Sequence, residues 1–148
     1  MPSILVIHGP NLNLLGTREP NIYGKISLEE IDRRLIEFGV SEGLEIRTFQ
    51  SNHEGAIIDA IHDARSWADG LVINPGGLSH YSVAVRDAIA AVSIPAIEVH
   101  LTNIYAREGF RHKSITAGAC RGQISGLGWR GYVYAIQGLK TIIDEAAH

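Results

Sequence analysis

At 148 residues, with 45% apolar and 20% charged side chains, the chain suits one soluble globular domain with a substantial core. A net charge of −3 argues against a nucleic-acid or anionic-membrane surface as the main partner, yet leaves room for a small anionic ligand held by a few local donors. The single cysteine, Cys120, permits no internal disulfide and no zinc cluster. It fits a reducing, cytoplasmic setting, as does the lack of any signal peptide or of a run near the roughly 20 apolar residues of a membrane span.

Strand and helix signals alternate along the whole chain. Ile4-Leu5-Val6-Ile7, short and closed by Gly9-Pro10, reads as a buried strand. The stretch Gly9 to Gly24 that follows is far longer than the two to six residues a strand-to-helix connection needs, which marks it as a functional lid. Leu12, Leu14, Leu15 and Ile22 are its expected apolar anchors. Ser27-Leu-Glu-Glu30 is a capping box in which Glu30 reaches back to Ser27. Leu28, Ile31, Leu35 and Phe38 then continue at helical spacing, and the helix ends near Gly43.

A second strand is expected over Leu44 to Phe49, a polar loop over Gln50 to Gly55, and a helix through Ile57, Ile58, Ile61 and Ala64. Gly70 to Asn74 is a third strand, cut off by Pro75-Gly76-Gly77, and Ser79 or Ser82 caps a helix running to about Ala91. Pro95 to His100 is a fourth strand. Beyond a basic loop, Ser114 to Ala117 and Gly122 to Ser125 together offer material for one further strand. Tyr132, Ile136, Leu139 and Ile143 are the apolar stripe of a closing helix. Short buried strands alternating with helices predict an α/β fold: a flavodoxin-like, doubly wound, five-stranded parallel sheet with helices on both faces, occupying 1–148 as one domain. Ligands in such folds bind outside the carboxyl ends of the strands, which directs attention to the loops after His8, Gln50, Asn74 and His100.

Several groupings on those loops can carry chemistry, and each has a plainer reading. Tyrosine, with an ordinary pKa of about 10, is a poor base at neutral pH unless a cation such as the Arg18 guanidinium favours its anion. For Arg18 and Tyr23 taken alone, a surface tyrosine beside a solvated arginine is the commoner case. Glu98 and His100, two apart on a strand, project to the same face, so the carboxylate can orient the imidazole. A structural polar pair is equally compatible with that spacing. Asn74 can hold a hydroxyl with both halves of its amide, or simply close a turn. His80 can donate to a ligand or face solvent, and Asp87 is by default a solvated helix residue. Arg107 to Lys113 can grip a carboxylate, although a charged surface loop is the commoner case. Gly126-Leu-Gly-Trp-Arg-Gly131 matches a dinucleotide fingerprint in form only, because a single helix follows it and no βαβ unit can form.

Taken together, these motifs resemble the type II 3-dehydroquinate dehydratases. The matching text is Gly9-Pro-Asn-Leu-Asn-Leu-Leu-Gly-Thr-Arg-Glu-Pro-Asn-Ile-Tyr-Gly24, Gln50-Ser-Asn-His-Glu-Gly55, Asn74-Pro-Gly, Ser82-Val-Ala-Val-Arg-Asp87, Glu98-Val-His100 and Arg107-Glu-Gly-Phe-Arg111, in the family's order over nearly the whole chain. The resemblance implies a lyase that dehydrates 3-dehydroquinate to 3-dehydroshikimate by anti elimination through an enolate, in the shikimate pathway or in quinate breakdown. It implies no metal or organic cofactor and a homododecamer built of trimers.

By the same resemblance Tyr23 is the base, Arg18 tunes it, and Asn13 helps to hold a water near the enolate oxygen. His100 is the acid for the departing hydroxyl, oriented by Glu98 with Asn74 close by. Leu101 and Thr102 receive the substrate carboxylate through backbone amides, while His80 and Arg111 contact the substrate. Asp87 reaches the site of a neighbouring subunit. The chain departs from many members in having Gly77-Leu78-Ser79-His80 in place of Ala-Tyr-Thr-His, which predicts the loss of an aromatic pocket wall, and in carrying Thr102 in place of serine. A reading of a different class is a non-catalytic flavodoxin-like module for a mononucleotide or small acid.

Overall fold

A computed structural model describes residues 1–17 and 19–148. Five parallel strands, β1 (Ser3–His8), β2 (Glu45–Gln50), β3 (Gly70–Asn74), β4 (Ala96–His100) and β5 (Gly122–Ser125), form one sheet in the order β2-β1-β3-β4-β5. This is the flavodoxin-like order, and its reversal of direction falls between β1 and β3. A four-residue helix α1 (Pro20–Tyr23) lies within the long first loop. The longer helices are α2 (Leu28–Ser41), α3 (Glu54–Asp63), α4 (Val83–Val92) and α5 (Arg130–Ala146). Among the described residues, no helix is long and apolar enough to cross a membrane.

Alternation along each strand divides the core in two. Ile4, Val6, Val72, Ile97 and Val99 pack with Ile31 and Leu35 of α2 and with Tyr132, Ile136 and Leu139 of α5. Leu5, Ile7, Leu71, Ile73 and Ala96 pack with Ile57 and Ile61 of α3 and with Val85 and Ile89 of α4. The strands are therefore apolar on both sides, as a covered parallel sheet requires. The same parity sends polar residues at the strand ends to chosen faces. His8 and Asn74, paired across β1 and β3, fall on the α2/α5 side, whereas Glu98 and His100 fall on the α3/α4 side.

Several local expectations are corrected by the structure. Only the cap half of the capping box forms: Ser27 Oγ accepts from the Glu30 backbone N–H. The Glu30 carboxylate turns instead to the Arg33 and Arg34 guanidiniums, whose hydrogen bonds hold it down at about 2. The helix expected after residue 55 begins at Glu54, inside the stretch assigned to a loop. Of the two candidate caps, Ser82 serves and Ser79 does not: Ser82 Oγ accepts from Val85 N–H and donates to Glu54 at 2.6 Å, tying α4 to the start of α3. Ser114 to Ala117 adds nothing to the fifth strand, because Ser114 and Thr116 spend their hydroxyls on Glu98. In the long loop Leu12 and Leu15 are buried, but Leu14 and Ile22 are exposed, so the loop is pinned by its first half.

Two glycines place the loops around the sheet's carboxyl edge. A Cβ on Gly9 would stand 2.6 Å from the Pro75 carbonyl group, so the turns after β1 and β3 touch only because residue 9 lacks a side chain. Gly131, the last glycine of the rejected fingerprint, lets α5 lie close on Val99 and Ile124. That run of glycines serves helix–sheet packing.

Candidate active site

A pocket partly open to solvent lies at the carboxyl edge where the strand order reverses. Three loops and the first short helix build it: Pro10, Asn11 and Leu12 after β1, Asn74, Gly76, Gly77 and His80 after β3, and His100, Leu101 and Thr102 after β4. Tyr23 enters from α1, and Ile104, Arg107 and Arg111 enter from the basic loop.

The structure thus brings together Tyr23, Asn74, His80, His100, Leu101, Thr102 and Arg111. Glu98 lies behind His100. Arg18 lies outside the described residues. Asn13 is exposed and absent from the lining, where Asn11 is present instead. Asn11 is held in the left-handed region at φ 70°, and its N–H donates to Asn52 Oδ1 at 2.9 Å. Asp87 is exposed on α4 and does not border the pocket. Leu78, where the sequence predicts the loss of an aromatic wall, is buried in the α3/α4 core and does not border the pocket.

Glu98 is the most heavily satisfied group near the pocket. It is fully buried and accepts from His100 Nε2 at 2.9 Å, Ser114 Oγ at 2.6 Å, Gln123 Nε2 at 3.0 Å and Thr116 Oγ1. Burial pushes its carboxyl up, but the hydrogen bonds from His100, Ser114 and Thr116 outweigh that and hold it below the usual carboxylate range. A carboxylate accepts only, so His100 presents Nε2–H to Glu98 and turns Nδ1 away from it. The pair is an imidazole with one fixed nitrogen beside a permanent anion, suited to moving a proton at the other nitrogen.

Because the folded value of Glu98 is depressed, the folded state binds fewer protons than the unfolded chain just below the ordinary carboxylate pKa. The stability this gives is complete above that pKa and is lost as pH falls through the folded value. Glu98→Gln is therefore expected to lose about 1–3 kcal/mol at neutral pH, because an amide nitrogen now faces donors. Its loss of stability on acidification should also be shallower than that of the native chain. Urea midpoints at pH 7 and below pH 4 would test this, and parallel curves would dismiss the assignment.

The basic loop has become a wall. The Arg107 guanidinium lies 5.1 Å from the Tyr23 ring centroid, placing a cation on the face of that ring. Arg111 is held by Glu108 and lies against Phe110. His80 donates Nδ1–H to the Lys113 carbonyl at 2.9 Å, which leaves Nε2 as an acceptor, and its ring stacks near that of His100 at 6.5 Å. Asn74, read from sequence as free to hold a hydroxyl with its whole amide, has protein partners on both halves. Its Nδ2 donates to Tyr132 at 3.0 Å, and its Oδ1 accepts from Gly76 N–H at 3.1 Å. One hydrogen and one lone pair remain for a ligand. Cys120 is no nucleophile: burial, then the Glu98 charge, pushes its thiol up to about 12.

The sequence reading missed Asn11, Ser114, Thr116 and Gln123, saw Arg107 only as part of a basic cluster, and took Tyr132 for plain core. One signal was legible. A tyrosine in the middle of an apolar helix stripe needs a partner for its hydroxyl.

Comparison with known proteins adds a direct line of support. Residues 2–140 match the model of the family described as dehydroquinase class II. The chain is 52% identical, over its full length and that of the relative, to a 3-dehydroquinate dehydratase of Halothermothrix orenii. It is 57% identical to the Bacillus licheniformis protein of the same name, over 92% of this chain and 94% of that one. The crystal structure of the type II dehydroquinase from Butyrivibrio crossotus superposes with a TM-score of 0.93 at 52% identity, covering 94% of this chain and 97% of that one.

Proposed function

We propose, for a chain that belongs to the class II dehydroquinase family, the division of labour by which its pocket dehydrates 3-dehydroquinate. The chain is a 3-dehydroquinate dehydratase, a hydro-lyase of the shikimate pathway that yields 3-dehydroshikimate. Its relatives give no support to a non-catalytic mononucleotide module.

The hydrogen to be removed lies beside the substrate's ketone, which acidifies it. Tyr23, as its anion, takes that proton, and the electron pair moves onto the ketone oxygen as an enolate. The enolate then expels the hydroxyl two carbons from the carbonyl, and His100, oriented by Glu98, protonates it so that it leaves as water on the opposite face. The base has gained one proton and the acid has lost one, and exchange with solvent resets both. The observation that carries this reading is that Tyr23 and His100 line one pocket while Glu98, fully buried, holds the far nitrogen of His100.

The remaining roles follow the pocket's shape. Leu101 and Thr102, at the end of β4, receive the substrate carboxylate, and Asn74, His80 and Arg111 hold its hydroxyls or carboxylate. Arg18 is assigned to tune the base by the family resemblance alone. The enolate-side asparagine is better assigned to Asn11 than to Asn13, since Asn11 borders the pocket. The single sheet supports reading 1–148 as one catalytic domain, and the pathway supports a cytoplasmic location. Asp87, exposed and outside its own pocket, can meet substrate only in a neighbour's site. Exposed Tyr81 and Val83 on the same part of the chain offer apolar surface for such an assembly, and the family resemblance makes it a homododecamer built of trimers.

Incubating the purified protein with 3-dehydroquinate should give the ultraviolet absorbance of the conjugated enone. Absence of that signal in folded protein would sink the reading. A monomer by light scattering would remove Asp87 from any site.

A further inference from the structure

A chain of buried polar groups runs from the pocket to a partly exposed side chain on α2, and the reaction described above does not use it. His8 and Tyr132 are fully buried, and their rings meet edge to face at 5.0 Å. Tyr132 Oη lies 3.0 Å from Asn74 Nδ2 and 2.9 Å from His8 Nδ1. His8 Nε2 lies 2.7 Å from Asp32 Oδ1, on a side chain about one quarter exposed. The three contacts join β1, β3, α2 and α5, over sequence separations of up to 124 residues.

The chemistry of the donors allows one direction only. Nδ2 of Asn74 can donate but not accept, so the phenol oxygen accepts from it. The phenol hydrogen then has His8 Nδ1 as its acceptor, which requires Nδ1 to be bare and the ring proton to sit on Nε2. Nε2–H donates to Asp32, whose carboxylate accepts only. Burial holds the Tyr132 phenol well above the ordinary tyrosine range, so the hydrogen it donates stays in place. Turning the Asn74 amide over would set its NH2 against Gly76 N–H and its oxygen against an oxygen that has already given its hydrogen to His8.

We propose that Asp32, His8 and Tyr132 are positioning residues for the dehydration, a directional relay that locks the side-chain amide of Asn74 in the one orientation that leaves an N–H and an oxygen lone pair for the substrate. The proposal rests on the reading of Asn74 as a substrate contact. Asp32 selects the His8 tautomer, His8 takes the phenol hydrogen, and the phenol oxygen takes Asn74 Nδ2–H. None of the three borders the pocket.

The test is a double-mutant cycle in the full-length enzyme, read as kcat and KM separately. Tyr132→Phe keeps the buried ring and removes the oxygen, and it is expected to lower kcat/KM about tenfold, as loss of one orienting hydrogen bond would. Asn74→Ala should lower it more, and the double variant should be no worse than Asn74→Ala, because the hydroxyl then has nothing to orient. Losses that multiply would overturn the relay, as would full activity of Tyr132→Phe beside a crippled Asn74→Ala. An Asn74→Ala enzyme as active as the native one would instead dispose of Asn74 as a substrate contact, and the relay with it. Should Tyr132→Phe fail to fold, the partly exposed end at Asp32 carries the test. Asp32→Asn keeps an acceptor oxygen for Nε2–H and should stay near native activity, while Asp32→Ala should fall severalfold. Equal activity of Asp32→Ala and the native enzyme would overturn the proposal.

Discussion

Replacing Tyr23 by phenylalanine is expected to lower kcat by about 10²–10⁴-fold, the usual range for removing a positioned general base, with KM little changed. The substitution deletes one oxygen. The ring that remains still packs against the α2/α5 core and beneath Arg107, so the fold and the shape of the pocket should survive. Steady-state rates from the enone absorbance, with circular dichroism and size as controls, would measure the effect. Turnover at the native rate in folded Tyr23→Phe would refute the assignment of the base. The loss should also remove exchange of the hydrogen beside the ketone with deuterated water, because no other described group is assigned to take that proton.

His100→Gln is expected to lower kcat by a similar 10²–10⁴-fold, but with a different signature. Glutamine can still donate an amide hydrogen to Glu98, which also keeps Ser114, Thr116 and Gln123, so the buried carboxylate is not stranded. What is lost is the proton for the departing hydroxyl. Tyr23 can still form the enolate, and the enolate returns to substrate more often than it eliminates. Substrate recovered from deuterated water should therefore carry deuterium beside the ketone while product accumulates slowly. Slow turnover without such exchange would place His100 in the first step and contradict its role as the acid. The two variants together separate proton removal from loss of water.

What could be read from the chain beforehand followed how far apart the determinants lie. Ile4 to Ile7 and Gly70 to Asn74 are short apolar runs closed by Gly9-Pro10 and Pro75-Gly76, so the strand and its end are written within a few residues. Glu98 and His100 meet because a strand repeats every two residues. Local details failed where a side chain had a competing partner. Glu30 had Arg33 and Arg34 within one helical turn, and Ser114 had Glu98. None of those competitions can be decided from spacing alone.

The site divides in the same way. Tyr23, Asn74, His80, His100 and Arg111 each sit at the end of a predicted element or in a loop of known polarity, and the folded chain gathers them into one pocket. Asn13 went astray, and the burial of Leu78 was not foreseen, because local sequence does not say which way a 3₁₀ turn points its side chains. The turns at Leu12–Leu14 and Gly76–His80 expose Asn13 and bury Leu78. Arg107 looked like one member of a solvated basic run until the loop folded back over Tyr23.

By itself the sequence determined the order of strands and helices, the covered parallel sheet, the pocket's place at the carboxyl edge, and the resemblance that named the reaction. All of these follow from periodicity and from motifs a few residues long. Only the tertiary structure decided which buried polar groups meet. Asp32, His8, Tyr132 and Asn74 come from four elements spread along the chain, and their alignment is enforced by a general rule: a polar group taken out of water must find a partner inside, whatever its distance in sequence.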